Sequence, residues 1–269
     1  MQYALVWQFW KWNRLAVLAL LASVAPPVTA QTNAESAKNK NSEEYIFVLP
    51  PAHPWRTSWF GAQLSGKDWA AYTGTTSTFF GRSIREDGWR LRVVSGYGLY
   101  SYDDWLHSGG SPQMTRFDGQ HGFADVLIGY QYRIDRWTLK GFAGIASGGH
   151  TVTPYDPNNE AIGYAYGMTG ALETWFNIND QSWFSVNFSY TTLADSFDLT
   201  ARYGHSFWQS LSLGLELSTA GNADFTTKRA AAFGRYAWST GAIRLSVGAA
   251  ADRDREITPY ASLNYEFHY

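Results

Sequence analysis

The chain has 269 residues, a formal net charge of -2 and no cysteine. Disulfides, thiolate metal sites and cysteine nucleophiles are therefore excluded, and there is no basic surplus to attract nucleic acid. Aromatic residues make up 17% and charged residues 16%, against roughly a quarter charged in soluble domains, yet the mean hydropathy is -0.29.

Apolar residues must then be interleaved with polar ones. A membrane β-barrel has that composition, because its strands alternate lipid-facing and lumen-facing side chains. A helical membrane protein does not.

At the N-terminus, Lys11 and Arg14 precede the apolar run LAVLALLASVA, and Pro26, Pro27 and VTA follow. The run is shorter than the roughly 20 residues of a spanning helix, and Val28 and Ala30 occupy the small-residue cleavage positions. Residues 1–30 are expected to be a signal peptide cleaved after Ala30. Residues 31–57 are expected to form a disordered, Pro-rich periplasmic segment, since QTNAESAKNKNSEE has no periodicity and almost no apolar residues. Its patch YIFVLPPAHP is expected to fold back on the barrel or to dock a periplasmic partner.

From residue 58 to 269 the period is two. In WFSVNFSY, Phe184, Val186, Phe188 and Tyr190 oppose Ser185, Asn187 and Ser189. In SLSLGLELS, four leucines oppose Ser212, Gly214, Glu216 and Ser218. The pattern predicts a single antiparallel outer-membrane barrel of about twelve strands, starting near residues 58, 69, 88, 120, 136, 161, 181, 194, 209, 226, 240 and 257. Tight turns such as REDG, IDR, NIND and WST should lie on the periplasmic rim. Longer loops, among them residues 101–120 and 147–161, should lie outside.

The polar faces line the lumen with Arg90, Arg92, Lys140, Arg202, Arg229, Arg235 and Arg244 against Asp125, Glu173, Asp198, Glu216 and Glu266. Mixed charges in a narrow interior are expected to pair into a network that fills the barrel, because an unpaired buried charge is costly.

A lipid-hydrolysing Ser/His pair would be the enzymatic alternative, and His205 beside Ser206 is the tempting candidate. Adjacent strand residues point to opposite faces, so these two cannot share a proton. The six histidines show no ligand spacing, and no metal or other cofactor is expected. A small-solute channel is the other alternative, disfavoured by the mixed charges.

Near the predicted outer loops, Tyr97, Tyr100, Tyr102, Trp105 and Tyr155 cluster with Asp103, Asp104 and Asp156. Rings beside carboxylates can stack on and hydrogen-bond a glycan. An ordinary interfacial girdle would also place aromatics here.

The chain ends LNYEFHY, with Leu263, Tyr265, Phe267 and Tyr269 on one face. Terminal residues usually fray, but the last strand of a closed barrel must pair with the first. This spacing matches the signal read by the outer-membrane assembly machinery.

The stretches GWRLRVVSGYGLYSYD, ADVLIGYQY, LKGFAGI, GALETWFN and LGLELSTAGNADFTTKRAAAFGRY, with the closing YASLNYEF, resemble the bacterial cellulose biosynthesis protein BcsS family in order and kind. Tyr100 with Tyr102, Gly129 with Tyr130, and Glu216 followed by Gly221, Asn222 and Arg229 carry most of it. The likeness spans about residues 58–269. One departure is Leu215 where the family often has Pro. The resemblance implies a non-enzymatic outer-membrane accessory of cellulose production in a Gram-negative envelope, with outer-membrane lipid, cellulose and other secretion components as partners.

Overall fold

The computed structural model describes residues 53–66, 68–106, 112–157, 159, 161–222, 226–251 and 257–269. The expected signal peptide and most of the 31–57 segment lie outside the described residues. Twelve strands follow in order: β1 (Arg56–Ser65), β2 (Asp68–Thr78), β3 (Gly88–Leu106), β4 (Gln113–Ile134), β5 (Trp137–Thr153), β6 (Gly163–Asn177), β7 (Ser182–Thr191), β8 (Ser196–Ser206), β9 (Leu211–Gly221), β10 (Thr226–Trp238), β11 (Gly241–Ala251) and β12 (Ile257–His268). Each pairs antiparallel with its neighbours, and β12 closes on β1.

Closure runs from Thr57 opposite His268 to Ser65 opposite Tyr260. The final residue is held too. Tyr269 accepts from the backbone N–H groups of Trp55 and Arg56 at 3.0 Å and donates back to Arg56. No edge is left for water to fray, so the aromatic end of the chain is ordered.

Burial is inverted relative to a soluble domain. Leu215 and Leu217 on the outside are 63% and 62% exposed, whereas the inward Glu216 between them is 3% exposed, and Arg90 and Ser246 are 1% and 0% exposed. Such an apolar outer belt is stable only in hydrocarbon. Stacked outward rings ring its lower margin, including Trp137 with Phe176 at 4.4 Å and Phe267 with Tyr269 at 5.3 Å. Leu215, where the family often has Pro, sits in an unbroken ladder between Tyr203 and Ala232.

Two expectations about connections are corrected. Residues 101–120 are mostly strand, because β3 continues to Leu106 and β4 begins at Gln113, not near 120; likewise β5 continues to Thr153. Above the bilayer the outward positions turn polar, which blurs an apolar alternation while the backbone pairing persists. REDG is not a tight turn either. Arg85, Glu86 and Asp87 belong to a longer connection, residues 79–87, and Gly88 already opens β3.

Candidate functional site at the outer mouth

Trp69 at the top of β2 pairs with Leu99, which pairs with Gln120, which pairs with Thr151. The β3–β4 hairpin continues past that level for seven more pairs, from Tyr100 opposite Gly119 to Leu106 opposite Gln113. The hairpin therefore stands above the first hairpin as a wall of the outer mouth.

Period-two geometry points Tyr100 and Tyr102 of β3, Phe117 and His121 of β4 and His150 of β5 inward. The Tyr100 and Tyr102 rings stack at 6.0 Å and 11°, and Tyr102 stacks on Phe117 at 5.2 Å. His150 lies 5.5 Å from the Tyr100 ring and accepts or donates a hydrogen bond at its hydroxyl. His121 completes the group, 6.2 Å from Tyr100.

Two polar side chains of the β5–β6 loop clamp the upper ring. The Tyr102 hydroxyl donates to Asp156 Oδ2 at 2.5 Å, and it accepts from Asn159 Nδ2 at 3.2 Å. Tyr102 lies above the membrane level. Burial chiefly pushes its pKa above the usual phenol value, Asp156 adds to the rise, and the Asn159 bond partly offsets it. The hydroxyl thus remains a donor at physiological pH.

Glycines shape this wall. Tyr100 lies over Gly119, His121 over Gly98, and lower down Phe123 over Gly96 and Trp59 over Gly74. With no Cβ beneath it, each ring lies flat on the neighbouring strand, as aromatic residues do over sheet glycines. Its other face is turned to the lumen.

Of the eight residues expected to contact a glycan, the structure brings together Tyr100, Tyr102 and Asp156. Tyr97, Asp103 and Trp105 face outward from β3, Tyr97 against Trp69. Asp104 shares the inward parity but is exposed near the tip, and Tyr155 is exposed in the loop. Phe117, His121, His150 and Asn159 were not among the expected residues. Continuing the alternation through 100–121 would have put the first two on the same face.

The lumen charges form two clusters. Glu173 takes Arg92 at 2.6 Å and Lys140 at 3.4 Å. Glu216 takes Arg202 at 2.5 Å and Arg244 at 3.8 Å, and Tyr260 donates to it at 3.5 Å. Arg229 lies over the Tyr260 ring, 5.5 Å from its centroid. Glu266 sits 3.9 Å from His268 near the periplasmic end, while Asp125 and Asp198 line a cavity together with Arg92 and Glu173.

Arg90 belongs to neither cluster. Its guanidinium donates to the carbonyls of Ile84 and Glu86, and Gln131 Nε2 donates to the same two carbonyls at 3.2 and 3.0 Å. Ile84 N–H in turn donates to Pro54 O at 2.6 Å, and Arg85 reaches Ser239 O at 3.4 Å. Two inward side chains thus hold residues 83–86 across the periplasmic opening.

A Ser/His contact does exist, on strands where no sequence spacing reveals it. Ser182 Oγ and His205 Nδ1 are 2.9 Å apart on β7 and β8. Both face outward near the periplasmic rim, and no carboxylate is paired with His205 among the described residues. No group of three potential metal ligands occurs among the described residues.

A closed twelve-stranded barrel with an apolar outer belt and a polar, ion-paired lumen is an outer-membrane β-barrel. Solved barrels of similar fold include the KdgM porin (9% identity, TM-score 0.44, covering 79% of this chain and 99% of that one) and the transport unit of the autotransporter AIDA-I from Escherichia coli (7%, 0.46, 83% and 92%). These likenesses carry no argument about activity. No curated protein matches the chain.

The family is settled by sequence: the model described as cellulose biosynthesis protein BcsS matches residues 57–264, and the chain belongs to that family. Its association with cellulose biosynthesis and its seat in the outer membrane follow.

Proposed function

We propose that this barrel is a non-enzymatic accessory of cellulose export, organisation or surface retention, and that the outer-mouth wall contacts the glucan. The observation that supports it most directly is the inward stack of Tyr100, Tyr102 and Phe117, with Asp156 and Asn159 at its upper edge. Tyr100 and Tyr102, half-buried and backed by the buried Phe117, offer ring faces to the C–H surface of a sugar, and the half-buried Asn159 amide offers a hydrogen-bond partner for its hydroxyls, while the buried Asp156 holds Tyr102 in place. The outer belt is the seat for membrane lipid. The outward face of Leu263, Tyr265, Phe267 and Tyr269 is the signal for the assembly machinery.

The periplasmic floor and the two ion-pair clusters favour this role over a small-solute channel, since each lies across the path. The Ser182–His205 contact does not favour a lipid hydrolase. It lies at the periplasmic rim, and among the described residues no carboxylate pairs with the imidazole to orient it, as triad chemistry requires.

The test is cellulose output in a deletion strain complemented with the full gene, with Tyr100→Ala/Tyr102→Ala, and with a chain lacking 265–269. The full gene is expected to restore cellulose, and the other two are expected to fail, the truncation through lost assembly. Unchanged cellulose in the deletion strain would remove the role. Full restoration by the double variant would remove the contact site. Altered lipids with unchanged cellulose would favour the hydrolase.

A further inference from the structure

The aromatic wall does not stop at the mouth. Below Tyr100 and His121, Phe123 lies over Gly96 and Trp59 lies over Gly74, so flat rings descend the β1–β4 side of the lumen. They end at a cavity of about 260 Å³ at mid-barrel, whose lining includes Trp59, Phe123, Arg92, Glu173, Asp125 and Asp198.

The charges divide unevenly. Arg92 and Glu173 neutralise each other at 2.6 Å. Asp125 and Asp198 have no ion pair within 4 Å among the described residues; Thr169 hydrogen-bonds Asp125, Thr200 donates to Asp198 Oδ1 at 3.2 Å, and Arg229 and Arg202 act on Asp198 from farther off. Two carboxylates in no direct ion pair thus share a small space with two aromatic rings. Hydroxyl groups of a neutral sugar would satisfy the carboxylates, and its apolar face would meet the rings. An anionic sugar or a phosphate would be repelled.

We propose that this cavity is a subsite for the terminal residues of a neutral β-linked hexose chain, entering from the outer mouth. The inference rests on the glycan reading of the mouth and adds an end-binding pocket to it. On this reading residues 83–86, tethered by Arg90 and Gln131, form a floor below the pocket. The pocket holds a chain end in place and does not pass it on.

The experiment is titration of the full-length, detergent-solubilised protein with cellobiose, read by tryptophan fluorescence and calorimetry, alongside a pull-down on insoluble cellulose. Cellobiose is short enough to report the pocket alone. Asp125→Asn and Asp198→Asn each change a charge at constant shape and are each expected to weaken cellobiose about tenfold, the loss of a hydrogen bond to a charged acceptor. Tyr102→Ala should leave cellobiose binding intact while reducing cellulose pull-down.

No cellobiose binding by a wild-type protein that still binds cellulose would overturn the pocket and leave the mouth. Failure of both ligands would remove both readings. Cellobiose binding unmoved by either Asp variant would also overturn the pocket, as would titration of the site by sodium or calcium with no response to sugar.

Discussion

Tyr100 lies flat against Gly119 on the next strand, where a Cβ would stand 2.2 Å from its ring. The ring is thereby fixed against the wall, in line to stack with Tyr102, while His150 holds its hydroxyl. A side chain at 119 would push the ring into the mouth.

Gly119→Val is therefore expected to act on the site through Tyr100. Overpacking of this kind costs about 1–3 kcal/mol, which a closed barrel should tolerate. The barrel should still show the heat-dependent gel shift of a folded outer-membrane protein, while cellulose pull-down falls towards that of Tyr100→Ala. Pull-down equal to wild type would mean that the ring's orientation is irrelevant.

Glu216 sits between Arg202 and Arg244 at 3% exposure. Glu216→Gln removes the anion and leaves two guanidinium groups facing each other, a loss of about 3–5 kcal/mol for one broken buried pair. Denaturant unfolding in lipid or detergent micelles should show it. Glu266→Gln, whose partner His268 is 3.9 Å away, should change stability by less than about 0.5 kcal/mol.

The periplasmic floor depends on Arg90 and Gln131 donating to the same two carbonyls. Replacing both, as Arg90→Met with Gln131→Leu, should release residues 79–87. Arg82 and Arg85 lie in that connection, so trypsin should cut there faster than in wild type, and planar-bilayer conductance should rise. An unchanged cleavage rate would show that the floor is held by other contacts.

Tyr269 joins the two ends of the barrel through backbone bonds to Trp55 and Arg56, and its ring packs on Phe267 and Trp55. Deleting Tyr269 alone should lower the amount of folded protein in the outer membrane. Tyr269→Phe, which keeps ring and backbone, should restore most of it. Equal levels for all three would remove the assembly role given to the terminal residue.

Strand identity was readable because one physical rule repeats along the chain. In a membrane barrel each residue meets either hydrocarbon or the lumen, so apolar and polar residues alternate wherever lipid is present. Eleven of the twelve predicted strand starts fall within two residues of those observed, with β4 the exception. Above the lipid the outward face meets water, and the alternation no longer marks strands. The upper β3–β4 hairpin therefore carries the sequence marks of a loop, where proximity along the chain groups Tyr97, Asp103 and Trp105 with residues of the opposite face.

Parity alone determined that Arg92, Glu173, Arg202, Glu216 and Arg244 face one interior, and that Leu263, Tyr265, Phe267 and Tyr269 face out. Which charge meets which depends on strand order, register and barrel closure, none of which is local. Arg90 shows this most plainly: its alternation places it in the lumen, but its position near the periplasmic end gives it loop carbonyls instead of a carboxylate. The pairing of Tyr100 with Gly119, of His121 with Gly98 and of Ser182 with His205 belongs to the same class. Each joins residues on different strands, and only the folded sheet brings them within contact distance.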